Sequence, residues 1–305
     1  MKLSVLIPTF RRGESLDRCM RGLAEQQRPA DQVVIVLRAE DEESQKVVAE
    51  WSAKLPITPA YVDRPGQVQA LNRGLDEVTG DIAAITDDDT FPHADWLRRI
   101  EEHFSADERL GGLGGRDVVH ERGTAIPARA YVVGVIQPFG RIIGNHHVGM
   151  GGPREVDTLK GANMIWRMTA VGSSRFETDL RGSGAQVYND MGFCMKIKGK
   201  GWRLVYDPQV VVDHFPAPRL DSDQRNAPSE EAIENAAYNL YLLLRRYGGA
   251  KGRVALRWAY WIGMQSRPGV LMGWAAVLKK DANARLWRRL ASRAWTAAKK
   301  AAKPA

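Results

Sequence analysis

The stretch Gly80-Asp81-Ile82-Ala83-Ala84-Ile85-Thr86-Asp87-Asp88-Asp89-Thr90 joins a short apolar run to three consecutive acids. Such a run, closed by acids, predicts a buried strand that ends at Thr86. Three carboxylates repel one another unless a cation lies between them. Mg²⁺ reaches proteins through one or two carboxylates plus substrate phosphates. The stretch therefore predicts either a metal-bridged diphosphate site or a solvated acidic turn that caps a helix over 92–105.

The first half of the chain alternates strand-like and helix-like segments. Strands are predicted over 3–8, 32–37, 57–62 and 81–86, and helices over 14–27, 42–54 and 67–78. Apolar strands separated by helices are typical of βαβ units, which predict an α/β fold with a mostly parallel sheet. Ligands bind at the carboxyl edge of such sheets. Residues 8–12, 38–41 and 87–89 all fall at that edge, which favours the metal site.

The second half has weaker patterns. Residues 107–155 are rich in glycine, and we interpret Gly111–Gly115 and Gly149–Pro153 as turns or mobile loops. A helix is predicted over 189–200, and short strands over 204–206 and 210–212. The segment 215–228 has the composition of a linker, and Ser229 is expected to cap a long helix after it.

Length and composition limit the class of protein. The chain has 305 residues, of which 44% are hydrophobic and 26% charged, as in ordinary soluble domains. Cys19 and Cys194 form no metal or disulfide pattern, which fits a reducing, cytoplasmic compartment. The first residues enter a strand directly, so no signal peptide is expected. No apolar stretch is long enough to predict a simple membrane span.

The positive charge is concentrated near the end of the sequence. Residues 279–303 hold nine of the 44 Lys and Arg residues but one acid, Asp281. Five of the nine tryptophans lie from residue 258 onward, at 258, 261, 274, 287 and 295. We therefore predict a domain over 1–216 and a helical, basic region over 217–305 that attaches peripherally to the inner face of the cell membrane. The alternatives are a helical subdomain with inward-packed tryptophans and, less favoured, a nucleic-acid-binding arm.

Five segments, taken in order, carry a resemblance to a known family. They are Val5–Arg12, Gly66–Gly74, Gly80–Asp89 with Pro92 and Trp96-Leu97, Val156–Met164, and a closing block with Asp190, Gly201-Trp202, Tyr206, Pro208 and His214. Together they resemble the family 2 glycosyltransferases of GT-A fold, over roughly residues 3–215. The resemblance implies a GT-A, Rossmann-like sheet flanked by helices, with the C-terminal helices as an extension.

The resemblance implies a nucleotide-diphospho-sugar donor and Mg²⁺ or Mn²⁺ as cofactor. The implied metal ligands are Asp87, Asp89 and His214; the alternative for His214 is a strand-end histidine bonded to backbone. The implied donor contacts are Pro8, Thr9, Arg11, Arg38, Asp41, Arg64, Asn72, Asp87 and Asp88. Which of Asp87 and Asp88 holds the ribose stays open. Arg38-Ala39-Glu40-Asp41 stands where many members have Asp-Asp-Gly-Ser, so the donor base also stays open, and Asp41 could instead cap the next helix.

On the acceptor side, Asp190 is the implied general base of an inverting transfer. The alternative is an acid that stabilises the first turn of a helix. The other implied acceptor-side residues are Gly161, Ala162, Asn163, Asn189 and Trp202. Asn189-Asp190 departs from the Glu-Asp that the family often has, so acceptor choice or rate could differ.

The expected function is therefore a metal-dependent inverting glycosyltransferase. Its acceptor would be a saccharide or a lipid-linked molecule in cell-surface polysaccharide or glycoconjugate synthesis. One alternative is a nucleotidyltransferase that makes sugar nucleotides, but the first turn holds a single glycine, Gly13. Another is a non-catalytic nucleotide-binding module. A dinucleotide dehydrogenase is disfavoured because no G-x-G-x-x-G follows the first strand.

Overall fold

The computed structural model describes residues 1–217, 229–264, 267–278 and 284–302. The strands are β1 (Leu3–Pro8), β2 (Gln32–Leu37), β3 (Ile57–Tyr61), β4 (Ile82–Thr86), β5 (Thr90–Pro92), β6 (Leu110–Glu121), β7 (Thr124–Ala125), β8 (Val135–Ile136), β9 (Ile142–Ile143), β10 (Arg154–Glu155), β11 (Asn163–Arg167), β12 (Arg203–His214), β13 (Gly263–Met264) and β14 (Arg267–Pro268). The helices are α1 (Gly13–Ala24), α2 (Glu42–Trp51), α3 (Gln67–Glu77), α4 (Trp96–Ala106), α5 (Met168–Val171), α6 (Asn189–Gly199), α7 (Glu230–Tyr247), α8 (Gly249–Trp261), α9 (Val270–Leu278) and α10 (Ala284–Ala301), with a 3₁₀ turn at His146–Val148.

A central sheet runs in the order β10-β12-β6-β11-β4-β1-β2-β3. Strands β3, β2, β1 and β4 are parallel, as the βαβ pattern predicts, and β6 and β12 are parallel to each other. Strand β11 is antiparallel to both of its neighbours, β4 and β6. The carboxyl ends of β1, β2 and β4 therefore share one edge of the sheet, and the ends of β6 and β12 reach the same edge.

Apolar side chains cover both faces of the sheet. On one face, Leu16 and Met20 of α1 and Phe104 of α4 belong to one apolar cluster with side chains of β1 and β2. On the other face, α3 and α6 pack beside helices from the C-terminal region, including Leu242 of α7. Burial on both faces explains why the central strands are continuous apolar runs rather than alternating ones.

The interpretation of Gly111–Gly115 as a turn or mobile loop is wrong, because these residues lie inside the central strand β6. A Cβ on Gly112 would lie 2.6 Å from the Trp166 ring, and one on Gly115 would lie 1.9 Å from the carbonyl oxygen of Val210. Glycine is present because its neighbours occupy the space of a side chain. The local sequence looks like a turn only because the packing partners come from distant segments.

Two other boundaries differ from the prediction. The two short strands over 204–206 and 210–212 are one strand, β12, whose register with β6 shifts between Asp207 and Val211. Helix α4 begins at Trp96 rather than near Pro92 because residues 90–92 form β5, which pairs with β12.

The C-terminal helices share the hydrophobic core of the sheet. Ser229 caps α7 as predicted, its Oγ accepting a hydrogen bond from the Ala232 N–H at 3.1 Å. Trp295 of α10 packs against Tyr241 and Tyr260 inside that core, whereas Trp274 is 55% exposed. The predicted linker residues 218–228, and the basic residues Lys279, Lys280 and Lys303, lie outside the described residues. Within the described part of the chain, the helices are too short or too polar to cross a bilayer.

Candidate active site

A cleft of about 360 Å³ opens at the carboxyl edge of β1, β2 and β4. Three loops that the sequence placed at this edge contribute to it, together with the start of α3 and the segment before α6. Its lining residues are Pro8, Thr9, Phe10, Arg12, Arg38, Val62, Arg64, Pro65, Gly66, Gln67, Ala70, Asp87, Asp88, Asp89, Ser183, Gly184 and Ala185. The predicted donor contacts Pro8, Thr9, Arg38, Arg64, Asp87 and Asp88 are therefore brought together in one place.

Asp88 is the carboxylate that ties the acidic turn to the first loop. It is buried, and it accepts hydrogen bonds from Thr9 Oγ1 at 2.8 Å and Arg12 Nη1 at 3.0 Å. Burial raises the pKa of Asp88 to about 7, although the positive charge of Arg12 opposes this rise. Asp88 thus fixes the geometry of the turn, and Asp87 and Asp89 are left facing the cleft.

Asp87, Asp89 and His214 each offer one ligand atom, and these atoms lie within 4.8 Å of one another. Asp89 Oδ1 and His214 Nε2 are 3.3 Å apart, both buried, and neither has a hydrogen-bond partner among the described residues. Two carboxylate oxygens and an imidazole nitrogen are suitable ligands for Mg²⁺ or Mn²⁺. The residues present therefore fit a divalent cation, and two of them, Asp87 and Asp89, also line the cleft.

A second ring of charged groups supports this cluster. Asp117, buried on β6, contacts Lys160 and lies 3.3 Å from His214 Nδ1. Burial alone would lower the pKa of His214, but the neighbouring Asp117 and Asp89 carboxylates raise it to about 9. Burial also opposes the charge of Asp117, yet Lys160 and His214 hold the pKa of Asp117 well below its usual range. The carboxylates around His214 therefore form a strongly negative environment that attracts cations.

Asp190 lies in the first turn of α6, next to the loop that precedes β11. Its Oδ1 accepts a hydrogen bond from the Met191 N–H at 2.7 Å, and its Oδ2 accepts one from the Gly161 N–H at 3.3 Å. Burial raises the pKa of Asp190, although these two N–H groups oppose the rise. A carboxylate with a raised pKa is a stronger base, so this position suits proton abstraction from a hydroxyl.

Three of the predicted donor contacts do not line the cleft. Asp41 accepts hydrogen bonds from the Arg11 N–H at 2.6 Å and the Ser44 N–H at 3.2 Å, so it caps α2 and holds the first loop. Arg11 has a left-handed backbone with φ of 54°, and its guanidinium stacks on Phe10. Asn72 uses its amide to bind the backbone N–H and carbonyl of Phe176.

On the acceptor side, Gly161 lies beside Asp190, but other predicted residues have structural contacts. Asn163 is buried and binds the Trp96 indole N–H at 3.0 Å and the Val210 carbonyl at 2.9 Å. Ala162 is buried beside it, and Asn189 binds the Ala185 carbonyl at 2.9 Å. Trp202 packs on Gly111, level with the start of β4. Trp202 is thus at the opposite edge of the sheet, and its expected position near the acceptor is wrong.

The structure adds residues that the sequence prediction missed. Arg12, rather than Arg11, reaches the acids, and it also lies 3.9 Å from Asp89. Gln67 and residues 183–185 line the cleft. Asp117 and Lys160 support the metal-capable cluster. The double arginine at 11–12 was a visible signal, but which of the two enters the cleft depends on the backbone turn at Arg11.

Comparisons with known proteins agree with the predicted family. Residues 4–151 match the pattern of the glycosyl transferase family 2. An uncharacterized glycosyltransferase of Nostoc sp. strain PCC 7120 is 27% identical over 121 residues, which are 39% of this chain and 38% of that protein. The matched region thus spans under two fifths of that relative. The resemblance to family 2 glycosyltransferases is confirmed.

Solved structures share the fold. Residues 1–349 of Staphylococcus aureus TarS, solved with UDP-GlcNAc, match with a TM-score of 0.62 at 14% identity, over 85% of this chain and 72% of that one. The mannosyltransferase PcManGT of Pyrobaculum calidifontis, solved with GDP-Man and Mn²⁺, matches with a TM-score of 0.55 at 18% identity, over 99% of this chain and 86% of that one. The predicted GT-A fold is therefore confirmed.

Proposed function

We propose that this protein is a metal-dependent inverting glycosyltransferase, which moves a sugar from a nucleoside-diphosphate donor to a hydroxyl of a saccharide or lipid-linked acceptor. The observation that carries the proposal is the cluster of Asp87, Asp89 and His214 at the edge of a cleft that is lined by cationic side chains. Family 2 relatives and neighbours solved with UDP-GlcNAc or GDP-Man support a nucleotide sugar as the donor.

The chain's own residues account for donor binding. Arg12, Arg38 and Arg64 place three positive charges around the cleft and would face the diphosphate. Thr9 and Asp88, which are joined by a hydrogen bond of 2.8 Å, would lie beneath the nucleotide. A divalent cation held by Asp87, Asp89 and His214 would act as a Lewis acid that offsets the negative charge on the departing diphosphate.

Asp190 would supply the base. Its carboxylate is held by two backbone N–H groups and so has a fixed direction. In the proposed reaction, Asp190 takes the proton of the acceptor hydroxyl while the oxygen attacks the anomeric carbon. The new bond forms on the face opposite the nucleotide, and the bond to the diphosphate breaks, so the configuration inverts. Proton transfer of this kind contributes roughly 10²- to 10⁴-fold to the rate.

We also propose that the C-terminal helices attach the protein peripherally to a membrane, which fits a role in cell-surface polysaccharide or glycoconjugate synthesis. Leu271, Met272, Trp274 and Leu278 of α9 are exposed, with Leu278 at 85%. The neighbouring helix α10 exposes basic residues, namely Arg285, Arg289, Arg293, Lys299 and Lys300. An exposed apolar helix beside a basic one is the combination that binds the interface of an anionic bilayer.

Nucleotide binding with and without metal tests the donor site. The purified chain is heated with each nucleoside diphosphate, with Mn²⁺ or with a chelator, and its melting temperature is measured. We expect at least one nucleotide to stabilise the protein only when metal is present, since a ligand at a hundredfold excess over Kd adds about 2.7 kcal/mol.

The variant Asp89→Asn should lose the metal-dependent part of this stabilisation. Asp76→Asn is the matched control, because Asp76 is a surface carboxylate that pairs with Arg175. Equal nucleotide stabilisation in chelator would contradict the metal site. The products decide between enzymes: nucleoside diphosphate release supports transfer, whereas pyrophosphate release would support a nucleotidyltransferase.

A further inference from the structure

A group of basic side chains lies near Asp190, and its members are within electrostatic reach of one another. We call Arg129, His147 and Lys160 the basic cluster. Lys160 precedes Gly161, whose N–H binds Asp190, and its positive charge acts on the Asp190 carboxylate. The cluster therefore borders the point at which the proposed base meets its substrate, and none of the proposed donor contacts belongs to it.

Arg116 holds the backbone of this region together. Its Nε donates to the His147 carbonyl at 3.2 Å, and its Nη2 donates to the Ile126 carbonyl at 2.8 Å. The Arg129 N–H donates to the Val148 carbonyl at 2.8 Å, so residue 129 lies against the turn that carries His147. Arg116 is adjacent to Asp117, the residue that contacts Lys160. These contacts hold the cluster beside the middle of β6.

The cluster holds two positive charges, on Arg129 and Lys160, and the His147 ring lies within reach of both. Burial and the charges of Lys160, Arg129 and Arg116 lower the pKa of His147, although the Asp117 carboxylate opposes this shift. Asp117 contacts Lys160, but it also faces His214. In the described part of the chain, the Arg129 guanidinium and the His147 ring have no hydrogen bond or ion pair. Neutral sugar hydroxyls would not require such an excess of positive charge.

We propose that Arg129, His147 and Lys160 bind a phosphate group on the acceptor, so that the acceptor is an anionic molecule. This inference rests on the proposed function, since it names the substrate class for the Asp190 side of the same site. The phosphate would hold the acceptor while its hydroxyl reaches the Asp190 carboxylate. Charge-assisted hydrogen bonds from guanidinium and ammonium groups are the usual means of recognising phosphate, and the His147 ring can add an N–H donor.

The segment that follows Arg129 is unusual for a surface loop because it exposes large apolar side chains. Tyr131 is 68% exposed and Phe139 51%, and the Phe139 ring lies 5.1 Å from that of Trp258 on α8. The chain therefore runs from the basic cluster to the C-terminal helices along an apolar surface. This arrangement suits a phosphate attached to a lipid, although a phosphate on a saccharide would have the same contacts with the cluster.

Inorganic phosphate is the probe, and the full chain is used. The protein is first saturated with Mg²⁺ and the nucleoside diphosphate that stabilises it, which fills the donor diphosphate site, and phosphate is then titrated by calorimetry. We expect phosphate to bind this complex, and Arg129→Gln and His147→Gln each to weaken phosphate binding at least fivefold. The matched control is Arg109→Gln, since Arg109 is an exposed cation just before the start of β6, away from the cluster.

A parallel arm separates the two sources of phosphate. Phosphatidylcholine vesicles with and without a polyprenyl monophosphate are sedimented with each variant. Lipid-phosphate binding that is lost in Arg129→Gln and kept in Arg109→Gln indicates a lipid-linked acceptor; phosphate binding without vesicle binding indicates a phosphorylated saccharide.

The inference is overturned if phosphate does not bind the nucleotide-saturated protein, or if Arg109→Gln weakens phosphate binding as much as Arg129→Gln does. Neither result contradicts the donor site. A chain that binds no nucleotide is titrated with phosphate alone. In that case the proposed function fails, and dependence on Arg129 still decides whether a phosphate site exists.

Discussion

The acidic edge of the sheet and the C-terminal helices place their charged groups in opposite ways. At the edge, Asp88, Asp89, Asp117 and His214 are buried, and each faces an oppositely charged group. On α10 the basic residues lie mostly at the surface beside the exposed apolar helix α9. Buried charges fix the positions of their partners through short direct contacts, whereas exposed charges act over a Debye length.

The difference indicates which measurements will report on each region. Removal of a charge from the edge should change chemistry or folding strongly, because an uncompensated buried partner remains. Removal of an exposed group from α9 or α10 should leave folding and chemistry unchanged and alter only the affinity for a surface. The predictions below test this contrast, beginning with the largest expected effect.

The largest effect is expected for Asp190→Asn. Asparagine keeps the size of the side chain and an oxygen for the Gly161 or Met191 N–H, but it cannot accept the proton of a hydroxyl. Transfer, measured as nucleoside diphosphate release in the presence of an acceptor panel, should fall about 10³-fold, or roughly 4 kcal/mol. Metal-dependent nucleotide binding should be unchanged. A variant that transfers at the original rate would remove Asp190 from the mechanism.

The next largest effect is expected for Gly115→Ala, which tests how tightly β6 packs against its neighbouring strands. A Cβ at 115 would lie 1.9 Å from the Val210 carbonyl oxygen and 2.3 Å from Asn163 Nδ2, so β6, β11 and β12 must move apart. We expect a loss of about 3 kcal/mol in the free energy of unfolding, measured with urea. Gly152→Ala is the control because nothing lies within 4 Å of its Cβ position. Equal stability of the two variants would show that β6 accommodates a methyl group at position 115.

These glycines also show what the sequence could and could not predict. Strands β1 to β4 were predicted correctly because each is an apolar run bounded by polar or turn residues, and their common edge follows from the parallel topology. Strand β6 was missed because five residues that include four glycines carry no apolar pattern of their own. What makes them a strand is the bulk of Trp166, Leu204 and Leu159 on other segments.

The same limit applies to the site. Asp87 and Asp89 could be proposed as site residues from the sequence because both lie within three residues of the end of a predicted strand. Asp117 and Lys160 could not be recognised from the sequence, because they are 43 residues apart in the chain and neither belongs to a local motif. The backbone turn at Arg11 likewise decides that Arg12 enters the cleft, and a left-handed arginine has no sequence signature. Residues that act through distant partners require the structure.

Acid should destabilise the protein through His146, a buried residue near the basic cluster. Burial lowers the pKa of His146 from 6.5 to about 4, and its ring lies 2.8 Å from the Thr158 carbonyl oxygen. Since the folded pKa is below the unfolded one, the unfolded state binds more protons between these values, and stability falls as the pH drops through this window. At pH 5 the loss is about 2 kcal/mol relative to pH 8.

The measurement is the free energy of unfolding at several pH values between 8 and 5, for the original chain and for His146→Asn. The variant starts from a lower stability because it loses packing, so the quantity compared is the slope against pH. We expect a shallower slope in the variant. Parallel profiles would mean that His146 does not titrate differently in the folded and unfolded states.

The smallest effect is expected at the surface of α9. Leu271 and Trp274 are 52% and 55% exposed, and their replacement by serine removes apolar area without leaving a cavity. In Leu271→Ser/Trp274→Ser, affinity for vesicles that contain anionic lipid should fall about tenfold, or roughly 1.4 kcal/mol, with nucleotide binding and melting temperature unchanged. Tyr61→Ser is the control, since Tyr61 is similarly exposed at 47% but lies on β3, at the far edge of the sheet. If the Tyr61 variant loses as much vesicle binding, exposed apolar residues act nonspecifically and the contrast between the two regions does not hold. If the melting temperature of the double variant instead falls, Leu271 and Trp274 stabilise the fold, as the side chains that cover the sheet do, and do not serve as a membrane-binding surface.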